Sequence, residues 1–307
     1  MKSLTVATRG GALAIAQTEY VIATLKKFHP GLEIRIKEIT TTGDKDRRTA
    51  LWTLKETGFF TSQVEDALTA YEADFAVHSF KDLPTAQREE LGIGAVFDRN
   101  FVEDCLVAKE PVDSIDQLPK DAKMGTSSLR RAAQIKHLRP DLVPTPIRGN
   151  VHTRLQKLDT DEFDAILLAR AGLERLGLAD KISFVFDPAV FIPAPAQGAL
   201  GIQTRADDDE TNEIIAAIND ENARTTTAAE RKILTTMQCG CHAPVGAYAE
   251  INGGDVHIRA FISEVDGTNF IGRELAGPAE DAEKIAEKIA NELLKAGGKE
   301  ILESLEK

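Results

Sequence analysis

The chain has 307 residues, 42% of them hydrophobic and 28% charged, with a formal net charge of −12. That length suits two or three globular domains of roughly 100–150 residues each. The charge excludes a general affinity for nucleic acid or an anionic membrane surface, so any anion site must be a local cluster of Arg and Lys.

Taken in chain order, Leu4–Thr8 reads as a strand and Ala12–Phe28 as a helix, with Leu13, Ala16, Tyr20 and Leu25 near one face. His29-Pro30-Gly31 stops that helix. Leu32–Thr40 alternates like a strand, Thr61–Tyr71 is helical, and Phe75–His78 is a short buried strand. This order predicts a mainly parallel, doubly wound sheet. The rhythm then restarts, with strands at Asp104–Ala108, Lys123–Gly125, Leu142–Ile147 and Phe163–Leu168. Helices are expected at Ser128–Leu138, Val151–Leu158 and Ala169–Leu176. The Pro-rich stretch Phe191–Gln197 suits a crossing between domains, after which Leu200–Thr204 reads as a strand returning to the first domain. A helix over Asn222–Met237 precedes three strands broken at Asn252-Gly253-Gly254 and Asp266-Gly267, and a helix over Ala279–Lys295 follows. Consecutive strands flanked by helices indicate a small antiparallel α+β domain.

Three strand-to-helix junctions set arginine among small residues: Thr8-Arg9-Gly10-Gly11, Thr126-Ser127-Ser128-Leu129-Arg130-Arg131 and Arg148-Gly149-Asn150-Val151-His152-Thr153-Arg154. Each falls at the carboxyl end of a strand, where open α/β sheets place their ligand crevices. Arginine in a first helical turn opposes the helix dipole, so Arg130 and Arg131 together make sense with an anion between them. One such junction reads as surface arginine with a Ser cap, but three in one chain favour an anion site. Guanidinium forks suit carboxylate and phosphate alike. After Phe75–His78 comes Ser79-Phe80-Lys81-Asp82-Leu83-Pro84. Here Asp82 either caps a turn or stays ionised to stabilise a developing cation and assist proton transfer.

The cysteines are Cys105, Cys239 and Cys241, too few for a disulfide framework. Gln238-Cys239-Gly240-Cys241-His242 lacks the second ligand pair of a structural zinc site, and its spacing is not that of a redox pair. A nucleophilic or modified thiol remains open beside an inert buried one. With no export signal and no apolar run near the ~20 residues that span a bilayer, a cytoplasmic location is expected.

Together the segments ATRGGALAIAQ, HSFKDLP, GTSSLRR, IRGNVHTRLQKLD, PAQGALGI and CGCHAPVG resemble the hydroxymethylbilane synthase (porphobilinogen deaminase) family over nearly the whole chain. The resemblance implies two doubly wound α/β domains like a two-lobed (type II periplasmic) binding protein, with the ligand cleft between them. A small C-terminal α+β domain with a three-stranded antiparallel sheet completes the fold. The implied domains are 1–97 with 198–217, then 103–192, then 221–307. It further implies a dipyrromethane cofactor attached by thioether to Cys241 and condensation of four porphobilinogen units into hydroxymethylbilane with loss of four NH3. Asp82 matches the catalytic aspartate. Arg9, Arg130, Arg131, Arg148, Arg154 and Arg175 match carboxylate-binding positions, with Lys81 beside the aspartate. Thr126, Ser127 and Ser128 would add donors, and Gln17, Asp44, Ser79, Phe60 and Gln197 complete the implied binding set. No metal is implied, the partners are porphobilinogen and the growing polypyrrole, and a monomer is expected. Two departures stand out: Thr53–Phe60 (TLKETGFF) lacks the two loop lysines common in bacterial members, and Gly11 replaces a frequent serine. A two-lobed binding protein that only retains the anion cleft is the alternative, as is a catalytically impaired homologue; simple capture needs neither Asp82 nor Cys241.

Overall fold

The computed structural model describes residues 3–41, 61–240 and 243–305. The described chain forms two compact units, one of residues 3–41, 61–100 and 198–224 and the other of 101–197 and 225–305.

In the first unit, β1 (Ser3–Arg9), β2 (Glu33–Ile39), β3 (Phe75–Ser79) and β4 (Leu91–Phe97) join β10 (Leu200–Arg205) in one sheet of order β2-β1-β3-β10-β4. β1 is parallel to both β2 and β3, whereas β10 is antiparallel to β3 and to β4. Helix α1 (Ala12–Phe28) buries Val21 and Leu25 against one face, where Leu4, Val6, Phe75, Val77 and Ile202 form the core. Lys26 and Lys27 in its last turn complement the dipole. Helix α2 (Ser62–Thr69) covers the other face, packing Val64 and Leu68 on Ala7 and Ala76. Helices on both faces make the sheet doubly wound, as expected.

The second unit repeats the plan. Its strands β5 (Asp104–Ala108), β6 (Lys123–Gly125), β7 (Val143–Thr145), β8 (Ala165–Ala169) and β9 (Phe184–Val185) run in the order β7-β6-β8-β5-β9. Helix α3 (Leu129–Leu138) covers one face, and α4 (Val151–Leu158) with α5 (Arg170–Arg175) the other. Again the fourth strand in order is antiparallel to its neighbours. In both sheets that reversed strand is the first to follow a crossing segment, so it enters from the opposite end. The mainly parallel expectation therefore holds for four strands of each sheet and fails at β10 and β5.

The second unit also holds the three-stranded antiparallel sheet of β11 (Val245–Asn252), β12 (Asp255–Ile262) and β13 (Ile271–Pro278). It packs on α7 (Glu221–Thr236) and α8 (Ala282–Leu293) through Ile233, Val256, Ile258, Ile289 and Leu293. The helix expected over Ala279–Lys295 forms, opening with a 3-10 turn. Gly297 at φ 118 separates it from a last helix, α9 (Lys299–Leu305). Unforeseen were β4, β9, α6 (Asp209–Ala216) and α9. The two glycines of LGIGAVF weaken its strand pattern, and the structure places a bulge there.

Candidate active site

Because β1 and β3 are parallel neighbours, their carboxyl ends meet at one sheet edge. Arg9 ends β1 and Ser79 ends β3. Val6 faces Phe75 and Ala7 faces Ala76, so continuing that register sets Arg9 beside His78. Burial is the main reason that the His78 imidazole falls to about 4; the Gln203 hydrogen bond opposes this and Arg9 adds to it. His78 is therefore neutral at pH 7. From α1, the buried Gln17 donates through Nε2 to Ser79 Oγ at 2.9 Å. A 3-10 turn, Phe80–Asp82, follows β3 directly. Phe80 and Leu83 are buried and anchor it, while Asp82 is exposed and Lys81 half-buried. The Phe80 N–H donates to Ala199 O at 3.0 Å. A Cβ on Gly201 would stand 2.6 Å from the Phe80 ring, so only glycine lets the ring lie there. Asp82 makes no hydrogen bond or ion pair among the described residues, so its carboxylate is not consumed as a turn cap. The first unit thus brings Arg9, Gln17, Ser79, Lys81 and Asp82 to one edge.

The second unit builds its edge in the same way from the parallel neighbours β6 and β7. Thr126 N–H donates to Thr145 O at 2.9 Å. Ser127 Oγ donates to Ile147 O at 2.6 Å and accepts from Ile147 N–H at 3.1 Å, pinning the two junctions together. Ser128 caps α3 by accepting from Arg131 N–H, and Asn150 caps α4 by accepting from Thr153 N–H. Ser127 thus spends its hydroxyl proton on its own backbone, whereas the Ser128 hydroxyl accepts from Arg131 N–H and keeps its proton to donate. Arg148, Arg154 and Arg175 are half-buried, and Arg154 Nε donates to Gly149 O at 2.9 Å.

An anion does sit between Arg130 and Arg131, and it belongs to the protein. Asp104, fully buried at the start of β5, takes Arg130 Nη1 on Oδ2 at 2.6 Å and Arg131 Nη2 on Oδ1 at 2.6 Å. Arg131 Nε adds 2.9 Å, and Gln197 Nε2 donates to Asp104 Oδ1 at 3.1 Å and to Val102 O at 2.9 Å. Burial alone would raise the Asp104 pKa, but the two guanidiniums and their hydrogen bonds outweigh it and hold the carboxyl well below its ordinary range. Burial in turn lowers Arg130, with Asp104 opposing and Arg131 adding to the shift. Replacing Asp104 with Asn would leave two buried guanidiniums uncompensated, a loss of about 3–5 kcal/mol. A depressed carboxylate stabilises fully above its unfolded pKa and loses that contribution as pH falls. The gap between wild type and Asp104→Asn should therefore hold from pH 7 to about pH 4 and narrow below it. Denaturant melts at several pH values check this.

Asp44, Phe60 and Cys241, together with the loop Thr53–Phe60, lie outside the described residues. Cys239 is half-buried and packs on the C-terminal core. Cys105 is fully buried in β5, and burial pushes its thiol up to about 12. The serine-to-glycine departure at Gly11 has a backbone reason: Gly11 starts α1 at φ 130, a conformation that side chains rarely adopt.

The family described as "Porphobilinogen deaminase, dipyromethane cofactor binding domain" matches residues 4–213, and its C-terminal domain matches residues 224–295. The chain belongs to the porphobilinogen deaminase family. It is 44% identical over 311 residues to the porphobilinogen deaminase of Chlorobium phaeovibrioides, covering 100% of this chain and 99% of that one. The Deinococcus radiodurans enzyme is 40% identical over 99% of both chains. That of Maridesulfovibrio salexigens is 42% identical over 99% of this chain and 98% of its own.

The arginine cluster fits the family's polycarboxylate cofactor. Two buried guanidiniums face a single carboxylate, and Arg130 Nε is buried with no hydrogen-bond partner among the described residues. A site with spare buried donors and excess positive charge suits a further carboxylate. Asp104, His78 and Gln203 were not foreseen from the sequence. Asp104 reads locally as an acidic residue before an apolar run, and only the two arginines that α3 lays over the sheet give it a purpose.

Proposed function

We infer that the chain is the transferase that joins four porphobilinogen units head to tail into linear hydroxymethylbilane, consuming one water and releasing four NH3. The observation that carries this reading is an untethered Asp82 carboxylate at the end of β3, on the same edge as Arg9. Each pyrrole brings an acetate and a propionate, so ligand charge grows by two with every unit. Arg9 in the first unit and Arg148, Arg154 and Arg175 in the second hold those carboxylates, with Arg130 and Arg131 sharing their donors between ligand and Asp104. Thr126, Ser127 and Ser128 shape the junction that presents them, and Gln17 holds Ser79. The Asp82 carboxylate stabilises positive charge on the pyrrole nitrogen as NH3 departs and assists loss of the α-proton after the new bond forms. Lys81, next in sequence, adds a cation beside it. Cys241 would hold the dipyrromethane through a thioether, and the bound group would supply the α-free pyrrole on which condensation starts. Gln197, Asp44 and Phe60 complete the binding set by resemblance.

No helix among the described residues is long and apolar enough to cross a membrane. From the family resemblance, we propose a monomeric cytoplasmic enzyme. The test is stoichiometric: the purified chain given porphobilinogen should release one NH3 per unit consumed and four per hydroxymethylbilane formed. Saturable binding of porphobilinogen without ammonia release would instead support a binding protein that retains only the anion site.

A further inference from the structure

Asp82 has no side-chain tether among the described residues, so the backbone of its turn alone sets where the carboxylate stands. What holds that backbone is a buried polar chain on the α2 face of the first sheet. Its hub is Gln203 of β10, fully buried and facing Ala76 of β3. Gln203 Nε2 donates to Glu65 Oε1 at 3.1 Å and to Gln87 Oε1 at 2.8 Å. Those two acceptors use both amide protons, leaving Gln203 Oε1 to accept from His78 Nε2 at 3.1 Å. Gln87 Nε2 then donates to Pro84 O at 2.6 Å. Glu65 is itself held by Arg88 Nε at 3.3 Å. One carboxamide therefore grips the chain at His78, before the turn, and reaches it again at Pro84, after the turn.

We propose that Gln203 is a positioning residue for the reaction, fixing the Asp82 turn at both ends through His78 and through Gln87. The proposal rests on Asp82 carrying the chemistry. The rest of β10 acts in the same sense. Ala199, just before the strand, accepts the Phe80 N–H, Leu200 pairs with Ser79, and Gly201 leaves room for the Phe80 ring. Such an arrangement holds an exposed carboxylate without spending any of its own hydrogen bonds, so the oxygens stay available to substrate. A displacement of about 1 Å at a reacting group costs on the order of 100-fold in rate, so a loosened turn should be visible in kcat. Ligand carboxylates are held by the arginines, and KM should move little.

The experiment compares holoenzyme carrying Gln203→Leu, Gln87→Ala, both together, and Asp82→Asn. We expect Gln203→Leu to lower kcat by about 10- to 100-fold and Gln87→Ala by a smaller factor, with KM within about twofold of wild type. The double variant should be no slower than Gln203→Leu alone, because both act on one tether. A merely structural role would lower the folded fraction and the thermal midpoint, leave kcat per loaded site unchanged, and overturn the proposal. So would additive losses. If Asp82→Asn is slow while both glutamine variants keep wild-type kcat, the clamp is wrong and the Asp82 reading stands. If Asp82→Asn itself turns over normally, the reading beneath the proposal fails instead. Should Gln203→Leu not fold, Gln87→Ala decides alone: unchanged kcat overturns the proposal, and a loss at constant KM supports it.

Discussion

Asp82→Asn is expected to yield a folded, cofactor-loaded chain whose turnover falls by about 10²–10⁴-fold, the range that a positioned acid–base group contributes. The side chain is exposed and makes no hydrogen bond or ion pair among the described residues. Its replacement leaves neither a cavity nor a broken buried network, so stability should stay within about 0.5 kcal/mol of wild type. Binding of porphobilinogen should also persist, because on the proposed reading arginines rather than Asp82 would meet its carboxylates. The amide keeps the shape and loses the negative charge, which isolates electrostatic stabilisation of the developing cation. Single-turnover measurement of ammonia release, beside a thermal melt and an intact mass, separates these effects. Near-wild-type ammonia release from the variant would mean that the carboxylate has another task.

Cys241→Ser should remove the covalent addition altogether. The wild-type chain, expressed in a host that makes porphobilinogen, should weigh more than its sequence by one dipyrromethane. The serine variant should weigh its sequence mass and form no product. A thiolate is the nucleophile that thioether formation needs, and a serine hydroxyl is far weaker at neutral pH. The other two thiols offer no substitute. Cys105 is fully buried with its thiol pushed up to about 12, and Cys239 is half-buried against the C-terminal core. Peptide mapping locates the group: an addition that survives in the variant, on Cys239 for instance, would overturn the assignment.

Much of the fold could be read where local pattern and tertiary environment agree. Ala12–Phe28, Asp104–Ala108, Lys123–Gly125 and Val151–Leu158 form the expected elements over the expected residues. In Ala12–Phe28 the buried Gln17, Val21 and Leu25 recur at helical spacing, and in Asp104–Ala108 a short apolar run is buried on both faces of its sheet. Agreement failed where a neighbour supplies what the segment lacks. Leu91–Phe97 becomes a strand because β10 pairs with it despite its two glycines. The two-residue β9 exists only through its pairing with β5. Past the expected end at Lys295, the chain kinks at Gly297 and forms a further helix to Leu305 that the sequence reading did not include.

The anion site followed the same division. By itself the sequence determined that arginines gather at strand ends and that an aspartate follows β3. Its motifs carried the family resemblance and pointed to Cys241 as the cofactor position. These features are local, set by adjacent residues and by the junctions they form. Tertiary structure alone decided that the charge between Arg130 and Arg131 is Asp104, 26 and 27 residues earlier in the chain. It alone placed Gln203 against His78 across 125 residues, because β10 returns after the second sheet and inserts antiparallel between β3 and β4. Sheet order is the physical reason. It is chosen by how whole faces bury against helices, and no short window of sequence carries that information. The arginines at the strand ends were legible early; which of their protons remain for a ligand was settled by a buried carboxylate that only the folded sheet brings to them.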